Sequence, residues 1–346
     1  MNKADISKWY DENELLHKDF CIKIETLIRE IISSEEIPTH SIAGRVKDEE
    51  SLLEKFEKRY KDINEITDIV GIRVITFVLE DVDKICELLE KEFEVDEVNS
   101  GDKATELKDN EMGYLSKHYI LKLSSSRCKL SEYKRFNRLV FEIQVRTLLQ
   151  HAWASMSHEN QYKFSGKLPS EIDRRFYLTA GTLELLDIEF QRLSDELKEY
   201  KKDIAVEIED GNLDIEINST TLAEYLDKRF NCFKEWSNFK RTFRGQEEKV
   251  IYELGCFGVN SLADLDELIS DEVAKILVSH SITYNGLLRD MMVFVDADKY
   301  FGHCWDNTLI MREIATEGLS KYVKNLKDIL RKYNIRVSSP KSSSRS

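Results

Sequence analysis

Polar and apolar positions along the first 165 residues switch between two periods. Over residues 10–33, Leu15, Leu16, Phe20, Ile24, Leu27, Ile28 and Ile31 recur at helical spacing, which predicts an amphipathic helix with one buried stripe. Pro38 closes that region, and "SIAGRVK" follows as a short extended or loop segment. Asp48 is placed to cap a helix over 49–60 whose stripe is Leu52, Leu53 and Phe56. "DIVGIRVITFVL", 68–79, is dense in β-branched residues and reads as a central strand. A helix over 81–93, a short strand over 94–99 and a polar loop over 100–112 come next. "SKHYILKL" and residues 138–146 alternate with period two, the signature of strands with one buried face. In "FEIQVRT", Phe141, Ile143 and Val145 belong to one face, and Glu142, Gln144 and Arg146 line the other. Helices are predicted over 147–163 and about 170–203.

This interleaving implies an α+β domain built on one sheet. Beyond about residue 205 the pattern changes. An acidic, turn-prone stretch leads into mostly helical sequence to about 335, with a capping box expected at Thr221–Glu224 and another at Ser261–Asp264. The domain boundaries expected are therefore 1–204, a helical 205–335, and a polar, disordered tail over 336–346.

Composition narrows the functional classes. The net charge of −14 disfavours a surface that coats nucleic acid. The six cysteines are scattered without metal-ligand spacing and suggest no disulfide framework. Neither a signal peptide nor an apolar run of membrane-spanning length is found, so a cytoplasmic protein without membrane contact is expected. One segment runs against the acidic average: residues 122–138 hold six Lys/Arg and one Glu, and a polyanion site beside the acceptor pocket is one reading of it.

Four stretches place polar groups where burial is expected. In "GRVKDEESLLEK", Arg45, Lys47 and Lys55, with Ser51 a turn before Lys55, form a cationic group suited to a polyphosphate. In "DIVGIRV", Asp68 enters an apolar strand as a candidate Mg²⁺ ligand, Gly71 permits close approach, and Arg73 sits mid-strand. In "GYLSKHYI", Tyr114 follows a Gly, where a ring can stack on a base, and His118 is four residues on. The fourth is the Glu142, Gln144, Arg146 row with the helix that carries His151 and His158. A zinc pair of those two histidines is weak for want of a Cys or carboxylate partner at standard spacing.

The ordered series "GRVK…S…K", "DIVGIR", "GYLSKH", "EIQVRT" and "WASMSHENQYK", over about residues 40–165, resembles the nucleotide-synthetase domain of the RelA/SpoT family. That family makes the alarmones pppGpp and ppGpp. The resemblance implies a nucleotidyltransferase-like mixed sheet flanked by helices, here with a helical C-terminal extension, of the stand-alone synthetase type. It also implies transfer of the β,γ-pyrophosphate of ATP to the ribose 3′-hydroxyl of GDP or GTP, with Mg²⁺ as cofactor. Arg45, Lys47, Ser51, Lys55 and Arg73 would hold ATP, and Asp68 would bind Mg²⁺. Tyr114 would stack on the acceptor base, and His118 would lie beside the acceptor phosphates. Glu142 would act on the 3′-hydroxyl as base or metal ligand, supported by Gln144 and Arg146.

Two departures qualify the pattern. Met112 stands where the family has an Asn before Gly-Tyr, which opens the acceptor's identity to an adenine nucleotide or a tRNA 3′ end. No His-Asp dipeptide occurs, so no alarmone hydrolysis is expected. A silent nucleotide sensor is the alternative from another class. Residues 205–335 carry no legible motif; oligomerisation, inhibition of the site or sensing of a partner such as a phage protein all stay open, and "FGHCWD" reads as packing.

Overall fold

The computed structural model describes residues 3–60, 62–102, 116–163, 169–231, 240–270, 273–274, 283–305 and 310–338. It divides into two compact units, Met1–Asp195 and Glu196–Ser346.

The first unit is an α+β domain on a mixed sheet. Helix α1 (Lys3–Ser34) is followed by β1 (Ser41–Val46), α2 (Glu49–Arg59), β2 (Val70–Thr76), α3 (Leu79–Glu92), β3 (Phe93–Val95) and β4 (Gly101–Asp102). Then come β5 (Lys117–Leu123), β6 (Val140–Thr147), α4 (Leu148–Lys163) and α5 (Ser170–Glu209). The strand order is β1-β2-β6-β5-β3, with β4 also on β5. Only the central pair β2–β6 is parallel among the described pairings of this sheet; β1–β2, β6–β5, β5–β3 and β5–β4 are antiparallel.

Period-two alternation sorts the sheet's two faces. Ile72, Val74, Phe141, Ile143 and Val145 are 0–1% exposed and meet Phe20, Ile24 and Ile28 of α1 and Ile85 and Leu89 of α3. Each such side chain contributes about 1.5–3 kcal/mol on burial. Asp48 caps α2 by accepting from the Ser51 N–H. The packing of β1 on α1 leaves no room at Gly44, where a Cβ would come within 2.6 Å of Cys21 Sγ. α5 is anchored by the Thr147 hydroxyl, which donates to Asp187 Oδ2 at 2.7 Å, and by Gln191 Oε1, which accepts the Glu80 N–H at 2.8 Å. The unit boundary falls within this 40-residue helix.

The second unit buries Leu222, Leu226, Leu254, Leu265, Leu288 and Met291 in a core of short helices. These include α6 (Ser219–Arg229), α7 (Glu247–Phe257), α8 (Leu262–Leu268) and α9 (Tyr284–Lys299). Glu253, 1% exposed, is held by both Arg289 donors and by the Tyr300 hydroxyl. Trp305 packs on Tyr300 and Phe301, so the described part of "FGHCWD" is packing.

Three expectations are corrected. The α6 cap is Asn218, not Thr221: its extended backbone lets the side chain accept from Thr220 and Thr221, and Thr221 occupies the third helical position. The Ser261–Asp264 box forms as expected. The strand over 94–99 stops at Val95, because the Asp96 carboxylate accepts the Val98 and Asn99 N–H groups and turns the chain. In the tail, Val337–Ser338 form a strand paired with Met311–Arg312; residues 339–346 lie outside the described residues.

Candidate functional site

The site is written in the register of the sheet. Arg45 pairs with Gly71, Gly71 with Glu142, and Glu142 with Ile120. One step along, Ala43 pairs with Arg73, Arg73 with Gln144, and Gln144 with His118; a step further, Ile75 pairs with Arg146. Residues directly opposed across strands share a face. Arg45, Arg73, Glu142, Gln144, Arg146 and His118 therefore project from the face opposite the α1–α3 core. A cavity of about 90 Å³ on that face is lined by Arg45, Gly71, Arg73, Glu142 and Gln144.

The guanidinium groups are crowded. Arg146 is 5% exposed, and its Nε, like that of Arg73, has no hydrogen-bond partner among the described residues. Burial, then the charges of Arg73 and Arg45, push the Arg146 guanidinium down to about 10, against a smaller opposing pull from Glu142. Burial and Arg45 likewise lower Arg73. Crowded cations with unspent donors form a site prepared for an anion. His151, from α4, adjoins it. Burial and the charges of Arg146, Arg73 and His40 lower its pKa, and its Nδ1 is buried without a hydrogen-bond partner among the described residues.

Two carboxylates complete the site. Asp68, at the entrance to β2, accepts from Lys47 Nζ and Lys55 Nζ, both at 2.6 Å and both on Oδ2. Its Oδ1 is buried without a hydrogen-bond partner among the described residues. Burial pushes this carboxyl up, and the two lysines outweigh it and hold it below the ordinary range. Glu142 Oε1 bonds His118 Nδ1 at 2.9 Å. Burial raises the Glu142 carboxyl, the bond and charge of His118 pull it below its usual value, and the charge of Asp68 opposes them. The two carboxylates thus feel one another across the site. Arg45, Arg73, Arg146, Lys47 and Lys55, five cations, face two anions, in a chain whose net charge is −14.

The remaining sequence-predicted residues fall elsewhere. The Ser51 hydroxyl donates to Asp48 Oδ2 at 2.9 Å within the α2 cap. Tyr114 and Met112 lie outside the described residues, as do the side chains of His158 and the rest of α4 beyond it. Of the basic segment 122–138, Lys122 is on β5 opposite Val140, on the site's face, and the connection after β5 turns to the other face. Cys128, Tyr133 and Phe136 anchor it on the α1 face, where Phe136 meets Phe20 at 5.3 Å. Arg127 and Arg135 pair with Glu92 and Asp19. Alternation puts Glu142 on the far side of the strand from Phe141, and the segment packs on the Phe141 side. Sequence reasoning missed the His118–Glu142 bond and the approach of His151 to Arg146 and Arg73. A histidine one turn into the helix that follows β6 was the signal for His151.

Among the described residues, no helix is long and apolar enough to cross a membrane. No group of three or more His, Cys, Asp or Glu among them is arranged to hold a metal unaided.

Comparison with known proteins agrees with the ordered motifs. The family described as "Region found in RelA / SpoT proteins" matches residues 44–167. The GTP pyrophosphokinase YjbM of Bacillus subtilis (strain 168) is 30% identical over 167 residues, 47% of this chain and 75% of that protein. The GTP pyrophosphokinase YwaC of the same organism is 27% identical over 197 residues, 54% and 90% respectively. The crystal structure of small alarmone synthetase 1 from Bacillus subtilis superposes with a TM-score of 0.46 at 26% identity, covering 56% of this chain and 98% of that one. Residues 44–167 run from within β1 past the end of α4 and contain Arg45, Lys47, Lys55, Asp68, Arg73, His118, Glu142, Gln144 and Arg146; by the family match and the YjbM match the chain belongs to the RelA/SpoT family.

Proposed function

We propose that this chain is a GTP pyrophosphokinase-like enzyme that moves the β,γ-pyrophosphate of ATP to the ribose 3′-hydroxyl of GDP or GTP. The observation that carries the reading is the group of three arginines and Glu142 on one face of the sheet beside the Lys47–Asp68–Lys55 cluster at the entrance to β2, with guanidinium nitrogens and a carboxylate oxygen unspent among the described residues. A polyphosphate donor needs the first and a metal the second.

In this reading Arg45, Arg73, Lys47 and Lys55 hold the ATP phosphates. Lys47 and Lys55 are already within reach of Asp68, so phosphates that draw the two ammonium groups away also release Oδ2. Asp68, with Glu142, fits Mg²⁺: both are hard oxygen donors, and Asp68 Oδ1 has no hydrogen-bond partner among the described residues. Bound there, the metal would neutralise charge on the donor phosphates. Glu142 takes the proton of the 3′-hydroxyl. The new bond forms from that oxygen to the β-phosphorus, the bond from the β-phosphorus to the α,β-bridging oxygen breaks, and AMP leaves. A ribose hydroxyl is a very weak acid, so a carboxylate kept ionised at the site is the group this step requires. Arg146, buried against Arg73 and Arg45, adds its charge to their hold on the ATP phosphates, Gln144 orients the acceptor on the same face, and Tyr114 stacks on the acceptor base.

The basic segment 122–138 kept a tRNA acceptor open; its buried anchors Cys128, Tyr133 and Phe136 pack with Phe141, on the side of the sheet away from Glu142. A silent sensor would have no need of both carboxylates. Incubation of the purified protein with γ-labelled ATP and, separately, GDP, GTP, AMP and tRNA tests the assignment. Label is expected in guanosine tetra- and pentaphosphate. Label confined to tRNA or to an adenine nucleotide, or transferred to nothing, overturns it.

A further inference from the structure

We infer that His118 is a positioning residue for Glu142, fixing its carboxylate for attack rather than gripping the acceptor's phosphates. The inference rests on the reading of Glu142 as the group that acts on the 3′-hydroxyl. Both ring nitrogens of His118 are spent inside the protein. Nδ1 bonds Glu142 Oε1 at 2.9 Å, and Nε2 meets Ser116 Oγ at 2.6 Å. A carboxylate only accepts, so Nδ1 carries the proton, and in the neutral ring Nε2 accepts from the Ser116 hydroxyl. Neither nitrogen can reach a phosphate without breaking one of these bonds.

The register explains why the clamp reaches. His118 is opposite Gln144 on the neighbouring strand, and Ile120 is opposite Glu142. His118 therefore approaches Glu142 diagonally, a distance spanned by a side chain that carries its donor one bond beyond Cγ. Its side chain is 15% exposed and that of Glu142 17%, so water competes weakly for the bond. Glutamate turns about three side-chain bonds and, unclamped, samples several rotamers. Held by β5 from one side and by its own strand from below, the carboxylate is limited to a narrow set of directions.

The test is a steady-state comparison of His118→Ala, His118→Asn, Ser116→Ala and Glu142→Gln, with ATP and GDP as substrates and affinity for a non-hydrolysable ATP analogue as the control for folding. Asparagine places an N–H close to the position of Nδ1 and can donate to the same oxygen. His118→Ala is expected to lose about 10- to 100-fold in kcat, with the KM for GDP and the analogue affinity within about twofold of wild type. His118→Asn should recover most of that loss, and Ser116→Ala should fall between. A raised KM for GDP at unchanged kcat, or an asparagine variant as slow as the alanine one, overturns the inference. Glu142→Gln separates the two claims. If it is inactive while His118→Ala keeps its kcat, only the positioning role fails. If it transfers at the wild-type rate, the reading of Glu142 itself fails.

Discussion

Replacing Arg146 by methionine should make the fold more stable while weakening its hold on ATP. The structure supplies the magnitude. The guanidinium stands at about 10 instead of 12.5 because it is buried and lies against Arg73 and Arg45. A gap of about 2.5 units corresponds to about 3 kcal/mol against the charged form at 1.36 kcal/mol per unit. Relaxation and water around the cavity reduce this, so about 1–2 kcal/mol is the gain expected from an uncharged side chain of similar volume. The sign follows from linkage. The folded state binds its proton less tightly than the unfolded state, so the penalty is present in full at every pH below about 10 and is relieved only above it. For a domain of this size such a gain raises Tm by roughly 2–8 °C. Calorimetry with and without a non-hydrolysable ATP analogue is the assay. Wild type should melt lower without ligand and rise steeply with it; the methionine variant should melt higher and rise little. A variant that melts lower than wild type, or one whose ligand-induced rise is undiminished, would refute the idea that crowded charge on this face is held for an anion.

Gly44→Ala should cost about 1–3 kcal/mol in chemical denaturation, because the new methyl would meet Cys21 Sγ at 2.6 Å and Glu25 Oε2 and Ile72 Cδ1 at 3.1 Å; an unchanged midpoint would mean β1 can move off α1 freely. Mn²⁺ followed by electron paramagnetic resonance should bind weakly to the protein alone and tightly with an ATP analogue. A Lys47→Met, Lys55→Met double variant should bind Mn²⁺ alone about tenfold better, and no gain would show that the two lysines do not guard Asp68. Asp68 and Glu142 both titrate below their ordinary range in the folded state. Their stabilisation is complete above the unfolded carboxyl value near 4 and is lost as pH falls through the lower folded values. Acid titration monitored by circular dichroism should therefore show a shallower fall for Asp68→Asn than for wild type, from a lower starting stability at pH 7; parallel curves would contradict the pairing.

The elements legible in the sequence were those whose pattern is local. The alternation of "FEIQVRT" gave β6 and its polar face directly, because period two needs no knowledge of neighbours. The Asp48 cap and the Leu52–Phe56 stripe marked α2 for the same reason. The side-chain partners were not legible. That Lys47 and Lys55 converge on one oxygen of Asp68 depends on β1 pairing antiparallel with β2 and on where α2 packs, and sequence distance carries no sign of either. The His118–Glu142 bond depends on the β5–β6 register, which a slip of two residues would destroy while keeping each strand's alternation intact. The basic segment misled because charge composition says nothing about which face of a sheet a connection crosses, and its buried Cys128, Tyr133 and Phe136 decided that. Asn218 was overlooked as a cap because Thr221 and Glu224 present a box of ordinary spacing three residues later.

The central claim is that this face of the sheet transfers a pyrophosphoryl group as one piece. Quantifying the adenine product by chromatography and mass spectrometry, in a reaction of purified protein with ATP, GDP and Mg²⁺, tests it most directly. AMP should appear in equal amount with guanosine carrying pyrophosphate at its 3′-oxygen, and neither should form with Glu142→Gln. ADP in place of AMP, or AMP released with free pyrophosphate and unmodified GDP, would contradict it.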